Sequence, residues 1–134
     1  MYLVDTSIVF EATRGAPEAI TWLRAQDPAA IYLSVVTLGE ITRSIAGMQT
    51  TSRRAATSLA EWLRKLRHDH AGQILPVTDQ VAVEWGRLAA LRPRGDIDGL
   101  IAATAIVHDL IVVTRNSAGF TDAGIAVVNP WDLA

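Results

Sequence analysis

Short, uniformly apolar runs separated by longer stretches of helical periodicity set the tightest limit on what this chain can fold into. Tyr2-Leu3-Val4 opens the series, and Ile31-Tyr32-Leu33-Ser34-Val35, Leu110-Ile111-Val112-Val113 and Ile125-Ala126-Val127-Val128 continue it. A short run that is apolar throughout suits a strand buried on both faces, as in a parallel sheet covered by helices. Ile74-Leu75-Pro76-Val77 fits a short edge strand, because its proline cannot donate to a ladder. Strand-like and helix-like segments in alternation predict an α/β fold. The expectation is one domain over residues 1–134, with a central parallel sheet of about four to five strands flanked by helices.

Helices fill the intervals. Pro17 to Ala25 carries proline in its first turn, a favoured place for it. Thr37 to Ala46 is expected to stop at Gly47, and Ser52 to His70 is the longest. Asp79 to Leu91 follows, capped by Thr78 or Asp79. Ile97 to Asp109 has Asp96 and Asp98 at its beginning. At 134 residues, a compact domain buries roughly two-thirds of the surface its unfolded chain exposes. With half its residues hydrophobic, the chain can build a core without covalent staples.

The absence of cysteine excludes disulfides, thiolate zinc sites and cysteine nucleophiles, and it fits the reducing cytoplasm expected as the location. No signal-peptide pattern is visible around Tyr2-Leu3-Val4, and the apolar run near Ile101 to Val107 is too short to span a bilayer, so neither a signal peptide nor a membrane partner is expected. A formal net charge of −2 argues neither for nor against nucleic acid as a partner. Any such surface must be a local patch, with the carboxylates gathered elsewhere.

Ligands of open α/β sheets bind beyond the carboxyl ends of the strands. Asp5 stands there, directly after Leu3-Val4, although Asp, Thr and Ser at 5–7 equally suit a helix N-cap. Glu40 alone resembles any solvated helix glutamate. Asp96 and Asp98 precede the unusually apolar stretch Ile101–Val107, where one aspartate suffices for capping and the helix dipole.

Read together, the pieces form an ordered set. Asp5-Thr6-Ser7 follows a strand, and Glu40 follows a second one. Asp98-Gly99-Leu100-Ile101-Ala102-Ala103-Thr104-Ala105 opens an apolar helix, and Val113-Thr114-Arg115-Asn116 and Val128-Asn129-Pro130-Trp131 come after it. The set resembles the PIN domain, and within it the VapC toxins of bacterial toxin–antitoxin pairs and their FitB-like relatives. The resemblance runs from Asp5 to Trp131. It implies a PIN-like α/β domain and a metal-dependent endoribonuclease whose acidic residues hold Mg²⁺ or Mn²⁺. Asp5, Glu40 and Asp98 match the catalytic and metal-binding acids. Thr6, Ser7 and Asn116 match polar positions that line or brace the site, with Asp96 as further support. Many relatives carry a fourth acid just before a phenylalanine, where this chain reads Gly119-Phe120. Asp122 is close in sequence to that position.

The chemistry follows from charge. Carboxylates within ~4 Å of one another cost about 4 kcal/mol per pair at an effective dielectric of 20. Three such pairs rival the ~5–15 kcal/mol stability of a whole domain. A divalent cation relieves that repulsion, and all-oxygen ligands favour Mg²⁺ or Mn²⁺.

The segment from Ser52 to His70 divides into an apolar stripe, Leu59, Trp62, Leu63 and Leu66, and a basic side with Arg53, Arg54, Arg64, Lys65 and Arg67. The basic side is either the solvated face of an amphipathic helix or a strip for RNA phosphates. Trp22, Trp62, Trp85 and Trp131 read as core or interface anchors. His68, His70 and His108 sit near helix ends, where imidazolium suits the dipole.

The resemblance further implies an RNA substrate, a cognate VapB-like antitoxin that blocks the acidic site, and a homodimer. A second reading is a weakly active or inactive PIN scaffold that binds nucleic acid or antitoxin. Aspartyl-phosphate phosphatases also begin with a strand-end aspartate, but they need a second one two residues later, where this chain has Ser7.

Overall fold

The computed structural model describes residues 1–133. In chain order the elements are β1 (Tyr2–Val4), α1 (Thr6–Thr13), α2 (Pro17–Ala25), β2 (Ile31–Ser34), α3 (Val35–Met48) and α4 (Arg53–Asp69). These are followed by β3 (Ile74–Leu75), α5 (Asp79–Leu91), α6 (Asp96–His108), β4 (Ile111–Val113) and β5 (Val127–Val128). The five strands form one parallel sheet in the order β3-β2-β1-β4-β5. This is the predicted architecture, and the proline-flanked strand β3 lies at the edge as expected.

Both faces of the sheet are covered. Leu3 and Val112 join Val81, Leu88, Ile101, Ala102 and Phe120 in one core, under α5 and α6. Their strand neighbours Val4 and Val113 point to the other face and join Ile8, Val9, Trp22, Leu33, Ile41 and Leu59, under α1 to α4. Successive strand residues face opposite sides, so a strand buried on both faces must be apolar throughout. That is the physical source of the Tyr2-Leu3-Val4 pattern. Trp22 belongs to the core, and Trp62, Trp85 and Trp131 pack against it, in keeping with the anchor reading.

The sequence expectations differ from the structure in a few places. Helix α1 was not expected. It starts immediately after β1, with Asp5 in the capping position but making no side-chain cap bond. Val35, expected in the second strand, begins α3, because the Ser34 hydroxyl accepts the Val36 N–H at 3.1 Å and ends the strand. Helix α3 then runs through Gly47 to Met48. A Cβ at Gly47 would meet open space, so nothing there requires glycine or a stop. Helix α6 ends at His108, one residue early, where Asp109 turns left-handed with φ 54°. Strands β4 and β5 are shorter than their apolar runs. Ser52 and His70 are the caps of α4 rather than part of it, and the Thr78 hydroxyl caps α5 by accepting the Val81 N–H.

Strand β1 sits at the switch point of the sheet. From it the order runs outward to β2 and β3 on one side and to β4 and β5 on the other. The crevice beyond the carboxyl end of such a strand is where open α/β sheets place their ligands. No helix among the described residues is long and apolar enough to cross a membrane.

Candidate active site

Asp5 occupies that switch point. Its backbone N–H donates to the Val113 carbonyl at 2.9 Å, extending the β1–β4 ladder by one residue. The side chain is buried but not bare. Thr114 Oγ1 donates to Asp5 Oδ2 at 2.7 Å, and Ser7 Oγ donates to the same oxygen at 3.0 Å. The two hydroxyls orient the carboxylate through its Oδ2.

Helix α3 brings Glu40. The hydroxyls of Thr6 and Thr37 share a buried hydrogen bond of 2.9 Å, which pins the first turn of α3 to the first turn of α1. Glu40 lies one turn beyond Thr37 and therefore on the same side of the helix. Helix α6 brings Asp98, the third residue of its first turn. Asp5, Thr6, Ser7, Phe10, Glu40, Ile97, Asp98 and Asn116 line one cavity of about 270 Å³.

The carboxylates there feel one another. Burial, then the negative charges of Asp5 and Glu40, hold the Asp98 carboxyl above the usual aspartate range. As placed, however, no three acidic or histidine side chains among the described residues are grouped closely enough to hold a metal ion. The three carboxylates share a cavity without forming a tight nest. The donor set itself fits a hard divalent cation: it offers oxygen only, and its mutual repulsion is what a cation relieves.

The remaining sequence candidates divide. Ser7 braces Asp5, Thr6 secures α3, and Asn116 lines the cavity, its backbone N–H donating to Thr114 Oγ1 at 3.0 Å. Asp96 stands exposed and outside the cavity lining. Positions two apart on a helix point in different directions, so Asp96 cannot share the orientation of Asp98. Asp122 is also elsewhere, bound by Arg92 at 3.0 Å and Arg94 at 3.1 Å. Gly119, in contrast, faces the site. A Cβ there would lie 3.0 Å from Asn116 Nδ2 and 3.6 Å from Asp98 Oδ2. The five basic residues of α4 are all exposed.

Two residues absent from the sequence candidates hold the site together. Thr114, fully buried at the end of β4, fixes Asp5, and Thr37 fixes the helix that carries Glu40. The available signal was positional: a hydroxyl just after an apolar strand, or just after the cap of a helix.

Comparison with known proteins agrees with this picture. The family model described as the PIN domain matches residues 2–125. VapC ribonuclease Y4jK of Sinorhizobium fredii is 31% identical, with 100% of each chain covered. Toxin FitB of Neisseria gonorrhoeae is 32% identical over 98% of this chain and 99% of its own. Among solved structures, FitAcB from Neisseria gonorrhoeae superposes with a TM-score of 0.88 at 32% identity, covering 98% of this chain and 99% of that one.

Proposed function

The chain belongs to the PIN-domain family, and from that premise we propose that it is the toxin of a VapBC-type pair, an endoribonuclease acting at the Asp5–Glu40–Asp98 cavity. The observation that carries this reading is the convergence of three carboxylates from β1, α3 and α6 on one cavity at the switch point of the sheet. Relatives of similar length are named as a VapC ribonuclease and as a toxin.

Asp5, Asp98 and Glu40 would hold Mg²⁺ or Mn²⁺, with Glu40 and Asp98 rotating toward the braced Asp5. When bound, such an ion offsets charge growing on the scissile phosphate and lowers the pKa of a coordinated water. The chain's own residues prepare the rest. Ser7 and Thr114 orient Asp5. Glu40, lining the same cavity, orients the attacking water. Asn116 offers its amide to a phosphate oxygen at the cavity. The exposed Arg53, Arg54, Arg64, Lys65 and Arg67 on α4 add sequence-independent attraction for the RNA backbone. A VapB-like antitoxin that inserts a cationic side chain among the carboxylates would block them by the same electrostatics. A homodimer in the cytoplasm completes this reading.

One alternative has a specific observation behind it. Gly119 leaves the fourth acidic position of many relatives empty, and the three carboxylates stand apart. A scaffold that binds RNA or antitoxin with little hydrolysis fits those facts. Cleavage of a mixed RNA pool by purified, antitoxin-free protein separates the two, with Mg²⁺, Mn²⁺ and EDTA compared. The nuclease reading expects metal-dependent cleavage that Asp5→Asn and Asp98→Asn both abolish. Folded wild-type protein that leaves the pool intact with either metal sends the assignment to the scaffold.

A further inference from the structure

Helix α1 leads out of the cavity along one face. Ser7, Phe10, Glu11 and Arg14 follow at helical spacing, and the first two line the cavity. Seven residues of α-helix carry Arg14 about 10 Å from Ser7. The Arg14 guanidinium lies 5.8 Å from the centre of the Phe10 ring, and its Nη1 is 3.3 Å from Glu11 Oε1.

A second arginine reaches the same place from the loop after β4. Arg115 sits between Thr114, which holds Asp5, and Asn116, which lines the cavity. Its backbone N–H donates to Ser7 Oγ at 3.4 Å, and its carbonyl accepts from Asn129 Nδ2 at 3.4 Å. The guanidinium stacks 4.5 Å from the centre of the Trp131 ring, and its Nη1 stands 3.5 Å from Glu11 Oε2.

Two guanidinium groups therefore share one carboxylate, which leaves the group with a charge of +1. Their side chains are 68% and 53% exposed. Each guanidinium has five N–H donors, and a single carboxylate occupies few of them. Stacking on Trp131 fixes the Arg115 plane in advance, which lowers the cost of ordering it around an anion. The location gives this charge a purpose. A cavity lined by three carboxylates repels a polyanion, so a strand reaching it needs fixed positive charge at the mouth.

Accepting the ribonuclease reading, we propose that Arg14 and Arg115 form a phosphate-binding ledge at the mouth of the acidic cavity, holding a backbone phosphate of single-stranded RNA next to the one to be cleaved. Arg115 is then a positioning residue, because it is joined through Ser7 and Thr114 to the carboxylate that meets the scissile group. Glu11 sets the ledge's strength by competing with phosphate for both arginines.

The test is binding of a fluorescent single-stranded RNA in EDTA, where no cleavage occurs, followed by anisotropy over a range of salt. Single strands lose affinity with a log–log slope of about −0.7 per phosphate contact. Arg14→Gln and Arg115→Gln should each make the slope shallower, the double variant by about 0.7 for the one phosphate lost, and Arg115→Lys should restore it. Glu11→Gln should tighten binding severalfold, because it frees both guanidinium groups. A purely structural brace predicts the opposite for Glu11→Gln: lower stability and no gain in affinity. Unchanged slopes in Arg14→Gln and Arg115→Gln, from wild-type protein that binds and cleaves RNA, would overturn the ledge and leave the nuclease standing. If Arg115→Gln fails to fold, Arg14→Gln decides alone, and an unchanged slope there overturns the ledge. Wild-type protein that neither binds nor cleaves RNA overturns both.

Discussion

Thr114 and Asp5 are 109 residues apart in sequence and joined by a buried 2.7 Å hydrogen bond, from Thr114 Oγ1 to Asp5 Oδ2. The parallel register that sets Val4 beside Val113 makes the contact, since each residue is the next after its strand. Thr114→Val keeps the shape and removes the donor. It also deprives the Asn116 N–H of its acceptor. A hydrogen bond to a charged group is worth roughly 1.5–3 kcal/mol, so urea unfolding should show a loss of about that size. Thr114→Ser should recover most of it.

The raised Asp98 carboxyl predicts how stability follows pH. Burial and the charges of Asp5 and Glu40 favour its protonated form in the folded protein. Above the ordinary value of 3.8 the folded chain therefore binds more protons than the unfolded chain, and stability falls as pH rises through that window. Asp98→Asn removes the effect. In EDTA the variant should be the more stable at neutral pH, and its melting temperature should depend less on pH. Asp98 is partly exposed, so solvent screening keeps the gain at or below about 1 kcal/mol. Saturating Mg²⁺ should raise the melting temperature of the wild type and do little for Asp98→Asn. If the stability difference between wild type and Asp98→Asn in EDTA were the same at pH 4 and pH 7, the account of the site's electrostatics would fail.

What the sequence disclosed follows the range of the interactions involved. Tyr2–Val4, Pro17–Ala25 and Asp79–Leu91 match their expected bounds, because local signals set them: strand burial, a first-turn proline and the Thr78 cap. Helix α1 has no local start signal, because its N-cap residue makes no side-chain cap bond. Asp5 looks like an N-cap, yet its carboxylate is engaged by Ser7 and Thr114 instead of a helix N–H. The three carboxylates were legible as an ordered set. Asp96 was grouped with Asp98 because spacing in sequence does not show which way a helix turns each side chain. Thr114, Thr37 and the Glu11–Arg115–Trp131 contacts depend on strand register and helix docking, which no window of sequence contains.

Gly99 places a steric limit on the site. A Cβ at that position would lie 2.9 Å from Trp85 Cδ1 and 3.1 Å from its Nε1, closer than packed atoms tolerate. The indole is rigid and packs against the core with α5, so α6 must shift instead. Gly99→Ala should cost about 1–3 kcal/mol in denaturant unfolding, the usual price of overpacking. Since Asp98 is the preceding residue, metal-dependent stabilisation should weaken too. Trp85→Leu combined with Gly99→Ala should restore part of both. If Gly99→Ala alone is neutral, the close packing of α5 on α6 does not position Asp98.

Gly119 is the position from which the site's charge can be increased. Its absent Cβ points between Asn116 Nδ2 and Asp98 Oδ2, so a carboxylate introduced there would join Asp98 rather than solvent. Asp122 cannot serve instead while Arg92 and Arg94 hold it. Gly119→Asp adds a like charge whose repulsion reaches at most about 4 kcal/mol per close pair at an effective dielectric of 20. The metal-free variant should therefore melt below the wild type. A divalent cation should then stabilise it more than it stabilises the wild type, with Mn²⁺ affinity by calorimetry at least about tenfold tighter, equivalent to 1.4 kcal/mol. Gly119→Ala serves as the control for crowding. It carries the same 3.0 Å approach to Asn116 without the charge, so it should reproduce part of the metal-free destabilisation and none of the gain in affinity. Were Gly119→Asp to bind Mn²⁺ no better than Gly119→Ala, residue 119 would not face a metal site, and the carboxylates at the end of β1 would need another explanation.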